Sequence, residues 1–131
     1  MIKSVHPDLR IILNGGVKTV PDVLSALDTF DGVMIGRESY ENPYFLAEIE
    51  QALYGAPLPA RADILRSLAD YAAAAQARDE GLMTNALTRH ILGLYHGRPR
   101  ARTFRRLLTE GAKENKRSAR DLILRVMEEI E

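Results

Sequence analysis

Two short segments of the chain contain the residue types of an anion-binding site. Asn14-Gly15-Gly16 follows one apolar run, and Gly36-Arg37 follows another. At a glycine-rich turn between a strand and a helix, several backbone N–H groups point at one spot, where phosphate is a common ligand. Each segment alone is also consistent with an ordinary tight turn. Because both occur in tandem, the sequence favours a phosphate held jointly by the two segments.

Two side chains in these segments could contact such a ligand. The Arg37 guanidinium can bind a phosphate through two N–H groups, although a surface ion pair with Glu38 or Glu41 would explain it equally well. The Asn14 amide could hydrogen-bond a ligand or cap the turn. We assign no catalytic role to the histidines, which are His6, His90 and His96.

A run of arginines between residues 98 and 106 is the second candidate for a functional site. If a helix begins at Pro99, the side chains of Arg102, Arg105 and Arg106 lie on one face of it. A clustered basic face is typical of proteins that bind the phosphate backbone of a nucleic acid. A solvated face balanced by neighbouring carboxylates has the same composition. The run alone therefore leaves both interpretations open.

The composition excludes several kinds of site. The chain has 131 residues and no cysteine, so disulfides, thiolate metal ligands and a cysteine nucleophile are excluded within it, and we predict no metal site. Lys and Arg total 18, as do Asp and Glu, so the net charge indicates no class of partner. No apolar run approaches the ~20 residues of a membrane span, and no secretory signal is evident. We therefore expect a cytoplasmic protein.

Strand and helix patterns alternate in the first third of the chain. Residues 11–13 have the profile of a parallel strand buried on both faces, and residues 33–35 predict a second strand. Thr19 can cap a helix that has Pro21 in its first turn, and another helical stretch begins near Glu38. Two strands, each followed by glycine and a helix, indicate consecutive βα units of a parallel α/β fold.

Only helical patterns follow Pro43. An amphipathic stretch ends at the Gly- and Pro-rich segment 55–59, which we interpret as a linker between domains at residues 1–55 and 56–131. The second domain is predicted to be a bundle of helices at residues 61–79, 82–96, 99–109 and 118–130. The protein as a whole is thus predicted to be mostly helical, with a small α/β part.

A sheet of two parallel strands leaves both of its edges unpaired and has little stability by itself. We therefore expect that the chain is the C-terminal part of a protein with a larger sheet, or that it completes the sheet by self-association through the unpaired edges.

These segments resemble a known family. Residues 12–49 closely resemble the final strands of the tRNA-dihydrouridine synthases. Residues 87–110 resemble the C-terminal helical domain of this family, particularly of its A-type bacterial members. The specific signal is the succession NGG, DGVMIGR and NP. The resemblance implies the last two βα units of a TIM-type β/α barrel that holds FMN, followed by a helical tRNA-binding domain. The implied activity is reduction of a tRNA uridine to 5,6-dihydrouridine with NADPH.

The resemblance also assigns individual residues. The positions that match the FMN phosphate-binding segments are Asn14, Gly15, Gly16, Gly36 and Arg37. Arg102 and Arg105 match arginines that contact tRNA. The catalytic cysteine of the family lies in earlier barrel strands, so we predict a chain that is inactive alone and binds FMN weakly or not at all. The alternative is a free-standing helical RNA-binding or scaffold protein without flavin chemistry.

Overall fold

A computed structural model of the protein describes residues 2–131. Two short strands lie among helices, and the strands are β1 (Ile12–Asn14) and β2 (Gly32–Met34). The helices are α1 (Ile2–Val5), α2 (Val20–Thr29), α3 (Arg37–Glu41), α4 (Tyr44–Tyr54), α5 (Arg61–Arg78), α6 (Thr84–Thr88), α7 (Ala101–Glu114) and α8 (Ala119–Ile130). The predicted mostly helical composition is confirmed. No helix within residues 2–131 is long and apolar enough to cross a membrane.

The two strands pair in parallel, as predicted, with Leu13 opposite Val33. The expectation that the first strand is buried on both faces is wrong. Side chains alternate between the faces of a strand, so Leu13 and Val33 point toward α2 and α4 while Ile12 and Met34 point away. Ile12 is 52% exposed and Met34 is 46% exposed, because the described residues place a helical layer against one face only.

Local signals position the first helices. The Thr19 side chain caps α2 by accepting a hydrogen bond from the backbone N–H of Asp22 at 3.2 Å, which confirms the predicted cap. Val23 and Phe45 are buried between α2, α4 and the strands. Gly55 ends α4 with φ of 69°, in the left-handed region that glycine accepts most easily.

A larger apolar cluster lies among α5, α7 and α8. The predicted helices at 61–79 and 118–130 are confirmed as α5 and α8. The fully buried large side chains of this cluster are Leu65, Leu94, Phe104, Leu108, Leu122 and Ile123. Gly111 of α7 packs so closely against Leu122 that a Cβ at this position would overlap the Leu122 side chain.

The helix predicted at residues 82–96 is wrong for most of its length, because α6 ends at Thr88. Beyond it the backbone forms turns in which some N–H groups bond to the carbonyl three residues back, as from Ile91 to Thr88 and from Leu94 to Ile91. The reason lies at Gly93, whose backbone packs directly on the Glu41 carbonyl, where any Cβ would overlap it.

The prediction that a helix begins at Pro99 is also corrected. In the structure α7 begins at Ala101, because Arg100 adopts a left-handed conformation with φ of 68°. This turn lets the Arg100 guanidinium donate hydrogen bonds to the carbonyls of Glu129 at 2.6 Å and Ile130 at 3.3 Å. Arg100 therefore holds the end of α8 against the start of α7.

Arg61, at the start of α5, contacts both α4 and the turns that follow α6. Its guanidinium stacks over the Tyr44 ring at 3.7 Å, and its Nε donates to the Leu94 carbonyl at 2.9 Å. The division into domains at residues 1–55 and 56–131 stays a prediction.

Candidate functional site

A cavity of about 630 Å³ lies at the ends of β1 and β2, where each strand leads into a helix. Both glycine-containing segments line it, so the structure brings all five predicted FMN-binding residues together. The residues lining the cavity from these segments are Asn14, Gly15, Gly16, Gly36 and Arg37. Parallel pairing explains this, because it places the carboxyl ends of both strands at the same edge of the sheet.

Gly15 and Gly16 shape the first wall of the cavity through their backbone conformation. Their φ values are 99° and 74°, in the region that side chains with a Cβ rarely adopt. A Cβ at either position would meet no atom within 4 Å in this chain. The glycines are therefore required by the turn itself and leave open space beside the backbone.

Four charged side chains line the cavity. Arg37 and Lys18 are cationic, and Glu38 and Glu41 on α3 are anionic. Within residues 2–131, Arg37 makes no ion pair with either carboxylate, so the alternative interpretation of Arg37 as a partner of Glu38 or Glu41 is not what the structure shows. The guanidinium is available to a ligand.

Sequence reasoning missed Lys18. This residue directly precedes the Thr19 cap of α2, and its side chain lines the cavity beside Gly15 and Gly16. The signal was present in the sequence, since a lysine two residues after a glycine pair lies in the same strand-to-helix turn. Lys18 adds a second cation to the donor groups of the cavity.

The arginine run divides into residues with and without protein partners. Arg106 pairs with Glu110 at 3.3 Å, and Arg100 is engaged with the end of α8. Arg102 and Arg105 are exposed on α7, and no carboxylate pairs with either of them in the part of the chain that the structure describes. The interpretation of the run as a face balanced by carboxylates therefore fits Arg106 but not Arg102 or Arg105.

No histidine lines the glycine cavity within the described residues. Among residues 2–131, no group of three or more His, Asp or Glu side chains is placed to hold a metal ion. His90 accepts a hydrogen bond from Arg89 Nε at 3.2 Å and contacts Tyr40 edge to face, with ring centroids 5.8 Å apart.

Two shifted pKa values belong to structural contacts away from the cavity. The Lys3 ammonium donates to Asp31 at 2.7 Å and, together with the Ile11 N–H, lowers the pKa of that carboxyl below its ordinary value of 3.8. Burial, followed by the hydrogen bond to Glu131, raises the pKa of Tyr95.

Comparison with known proteins gives a consistent result. A family model described as dihydrouridine synthase matches residues 1–130. The chain is 47% identical over 111 residues to a tRNA-dihydrouridine(20/20a) synthase of Xanthomonas campestris, covering 85% of the chain and 32% of the relative. It is 48% identical over 110 residues to the protein of the same description from Pseudomonas putida, covering 82% of the chain and 32% of the relative. The chain thus spans about a third of the length of the curated relatives it matches.

Proposed function

Because the chain belongs to the dihydrouridine synthase family, we propose that it forms the C-terminal portion of a flavin-dependent enzyme that reduces uridine in tRNA to 5,6-dihydrouridine. The relatives are described as acting at positions 20 and 20a, and we propose the same uridines here. β1 to α4 would be the last two βα units of a TIM-type barrel, and α5 to α8 a helical tRNA-binding bundle. Such a function implies a cytoplasmic location.

The cavity between the glycine segments is the proposed site for the phosphate of FMN. Its donor groups suit a phosphate, since the backbone at Gly15 and Gly16 is open and the Arg37 guanidinium has no ion-pair partner among residues 2–131. The Asn14 amide would bind a further oxygen, and Lys18 would add positive charge. When bound, FMN supplies the hydride for the uracil ring, with NADPH as the reductant.

Binding of FMN to this chain alone is expected to be weak or absent at ordinary concentrations, because a few hydrogen bonds to one exposed phosphate contribute little in competition with water. NMR titration at high ligand concentration tests the site. FMN should shift the amide signals of Gly15 and Gly16, whereas riboflavin, which lacks the phosphate, should not. Equal shifts with both ligands, or shifts confined to other residues, would contradict the proposed site.

The observation that carries the tRNA-binding role is a pair of exposed arginines on α7 that have no ion-pair partner among the described residues. Arg102 and Arg105 lie one turn apart, so both guanidinium groups can reach one phosphate backbone. We expect weak, salt-sensitive binding of tRNA. Each substitution, Arg102→Ala and Arg105→Ala, should lower the affinity and reduce the slope of log K against log[salt] by roughly one.

A salt titration of tRNA binding by the wild type and these two variants measures the effect. Arg66→Ala is the matched control, because Arg66 is exposed on α5 but pairs with Asp63 at 2.5 Å. Circular dichroism verifies that each variant keeps its helices. Unchanged affinity and slope in both α7 variants would contradict the proposed role.

The alternative of a free-standing RNA-binding or scaffold protein is not favoured, because the relatives matched are synthases. No residue of this chain is proposed as catalytic. The unpaired edges of β1 and β2 would pair with further barrel strands in a longer protein, or with a second copy when this chain is alone. Sedimentation velocity over a range of concentrations tests the latter.

A further inference from the structure

A second depression lies where α3 meets the turns after α6 and the start of α7. This junction cleft has a volume of about 430 Å³, within the range of about 300–1,000 Å³ typical of sites for small groups. Its lining residues are Tyr40, Glu41, Arg89, Leu92, Gly93, His96 and Arg105. Glu41 also lines the glycine cavity, so the two sites are adjacent.

An exposed aromatic side chain forms one wall of the junction cleft. Tyr40 is 56% exposed, although it is a large ring next to the helical domain. His90 holds it edge to face, and Arg89 in turn donates to His90, so the three side chains form one connected group. Unpaired RNA bases bind proteins chiefly by stacking on such aromatic rings.

Cationic side chains outnumber carboxylates in the junction cleft, where Glu41 is the acidic residue among the described lining residues. Arg89 and Arg105 both line the junction cleft, and neither has an ion-pair partner among the described residues. Beyond Arg89 the surface continues into a groove of about 550 Å³ that Lys113 and Lys116 line. The described residues that line this groove include no carboxylate. The arrangement of an aromatic ring among unpaired cations fits a nucleotide with phosphates on both sides.

We propose that the junction cleft binds an unpaired nucleotide of the RNA, whose base stacks on Tyr40 and whose flanking phosphates lie on Arg89 and Arg105. The strand then continues along Lys113 and Lys116. This inference rests on the proposed tRNA-binding function and adds a base-contacting site to it. A nucleotide held there lies beside the glycine cavity, so the cleft would lead the RNA strand toward the flavin.

Fluorescence binding assays with a short single-stranded oligouridylate and with duplex RNA of equal length test the proposal. Tyr40→Ala should weaken oligouridylate binding about tenfold, and Tyr40→Phe should retain it, because the ring supplies the stacking. Tyr40→Ala should leave duplex binding within about twofold of the wild type. Arg89→Gln should reduce the salt slope for the single strand by about 0.7. Tyr71→Ala is the control, since Tyr71 is 58% exposed on α5.

Several outcomes would overturn the proposal. One is wild-type affinity in Tyr40→Ala, and another is equal loss in Tyr40→Ala and Tyr40→Phe. A third is a polyglutamate that binds as tightly as oligouridylate and is weakened equally by Arg89→Gln, since the cleft would then be a general anion or acidic-peptide site. If Arg102→Ala and Arg105→Ala weaken tRNA binding while Tyr40→Ala does not, the proposal for the junction cleft is contradicted and the tRNA-binding proposal is retained. A wild-type chain that binds no RNA overturns both proposals.

Discussion

Gly15 and Gly16 have backbone conformations that alanine adopts only with strain. A left-handed conformation costs an L-residue about 1–2 kcal/mol, which exceeds the gain from restricting the unfolded chain. We expect Gly15→Ala and Gly16→Ala each to lower the free energy of unfolding by about 1 kcal/mol. Gly36→Ala is the control, because Gly36 has φ of −98° and ordinary space for a Cβ. Urea unfolding measures the three values, and an equal loss at Gly36 would contradict the explanation.

The ion pair of Asp31 with Lys3 predicts a pH dependence of stability. Its carboxyl has a folded-state pKa below the ordinary value of 3.8, so the native state favours the ionised form. The stabilisation is therefore present above pH 3.8 and is lost as pH falls through the lower, folded-state pKa. Asp31→Asn should destabilise the protein at pH 6, and the difference from wild type should shrink below about pH 3.8. Asp28→Asn, at an exposed residue of α2, is the control substitution.

Acid titration of unfolding for the two variants and the wild type measures this effect. A difference between wild type and Asp31→Asn that stays constant from pH 6 to acid would exclude the ion pair as its cause.

At the scale of elements, the contact of α7 with α8 depends on Gly111. A methyl group there would overlap the Leu122 side chain, and overpacking of this kind costs about 1–3 kcal/mol. Gly111→Ala should therefore destabilise the protein despite the better helix propensity of alanine. In Gly111→Ala combined with Leu122→Ala, the loss should be smaller than the sum of the two single losses, because the second substitution makes room. Thermal or urea unfolding of the wild type, the two single variants and the double variant measures this coupling. A loss in the double variant equal to the sum of the single losses would contradict the prediction.

Elements with a strong local signal were predictable from the sequence. Thr19 marks the start of α2, and the apolar spacing on α5 and α8 marks their lengths within a residue or two. The glycine cavity was also predictable, because parallel strands place both glycine turns at one edge. The path of the segment after Thr88 was not predictable. In this segment Gly93 packs on Glu41, which lies far away in the sequence. The conformation of Arg100 was not predictable either, because its hydrogen-bond partners lie at the end of α8.

Across the whole molecule, the two apolar clusters differ greatly in size. The cluster around the strands has Val17, Val23 and Phe45 as its buried residues, whereas the helical cluster has many more. Regions with few buried apolar contacts have a lower free energy of local unfolding. We expect the amides of β1 and β2 to exchange with deuterium about tenfold or more faster than the central amides of α5 and α8. Native-state hydrogen exchange by NMR measures this, and equal protection would show that the clusters open together.

The packing of Gly93 on Glu41 also determines which amino acids the chain can accept at position 93. The obstacle to a side chain there is a backbone carbonyl, which no rotamer change can move aside, whereas at Gly111 it is the end of the Leu122 side chain. In a saturation mutagenesis library, all replacements at position 93 should be depleted to a similar extent, regardless of their size or polarity. At position 111, depletion should grow with side-chain volume. Position 93 would thus be as intolerant of replacement as an active-site residue, because of the backbone carbonyl on which it packs.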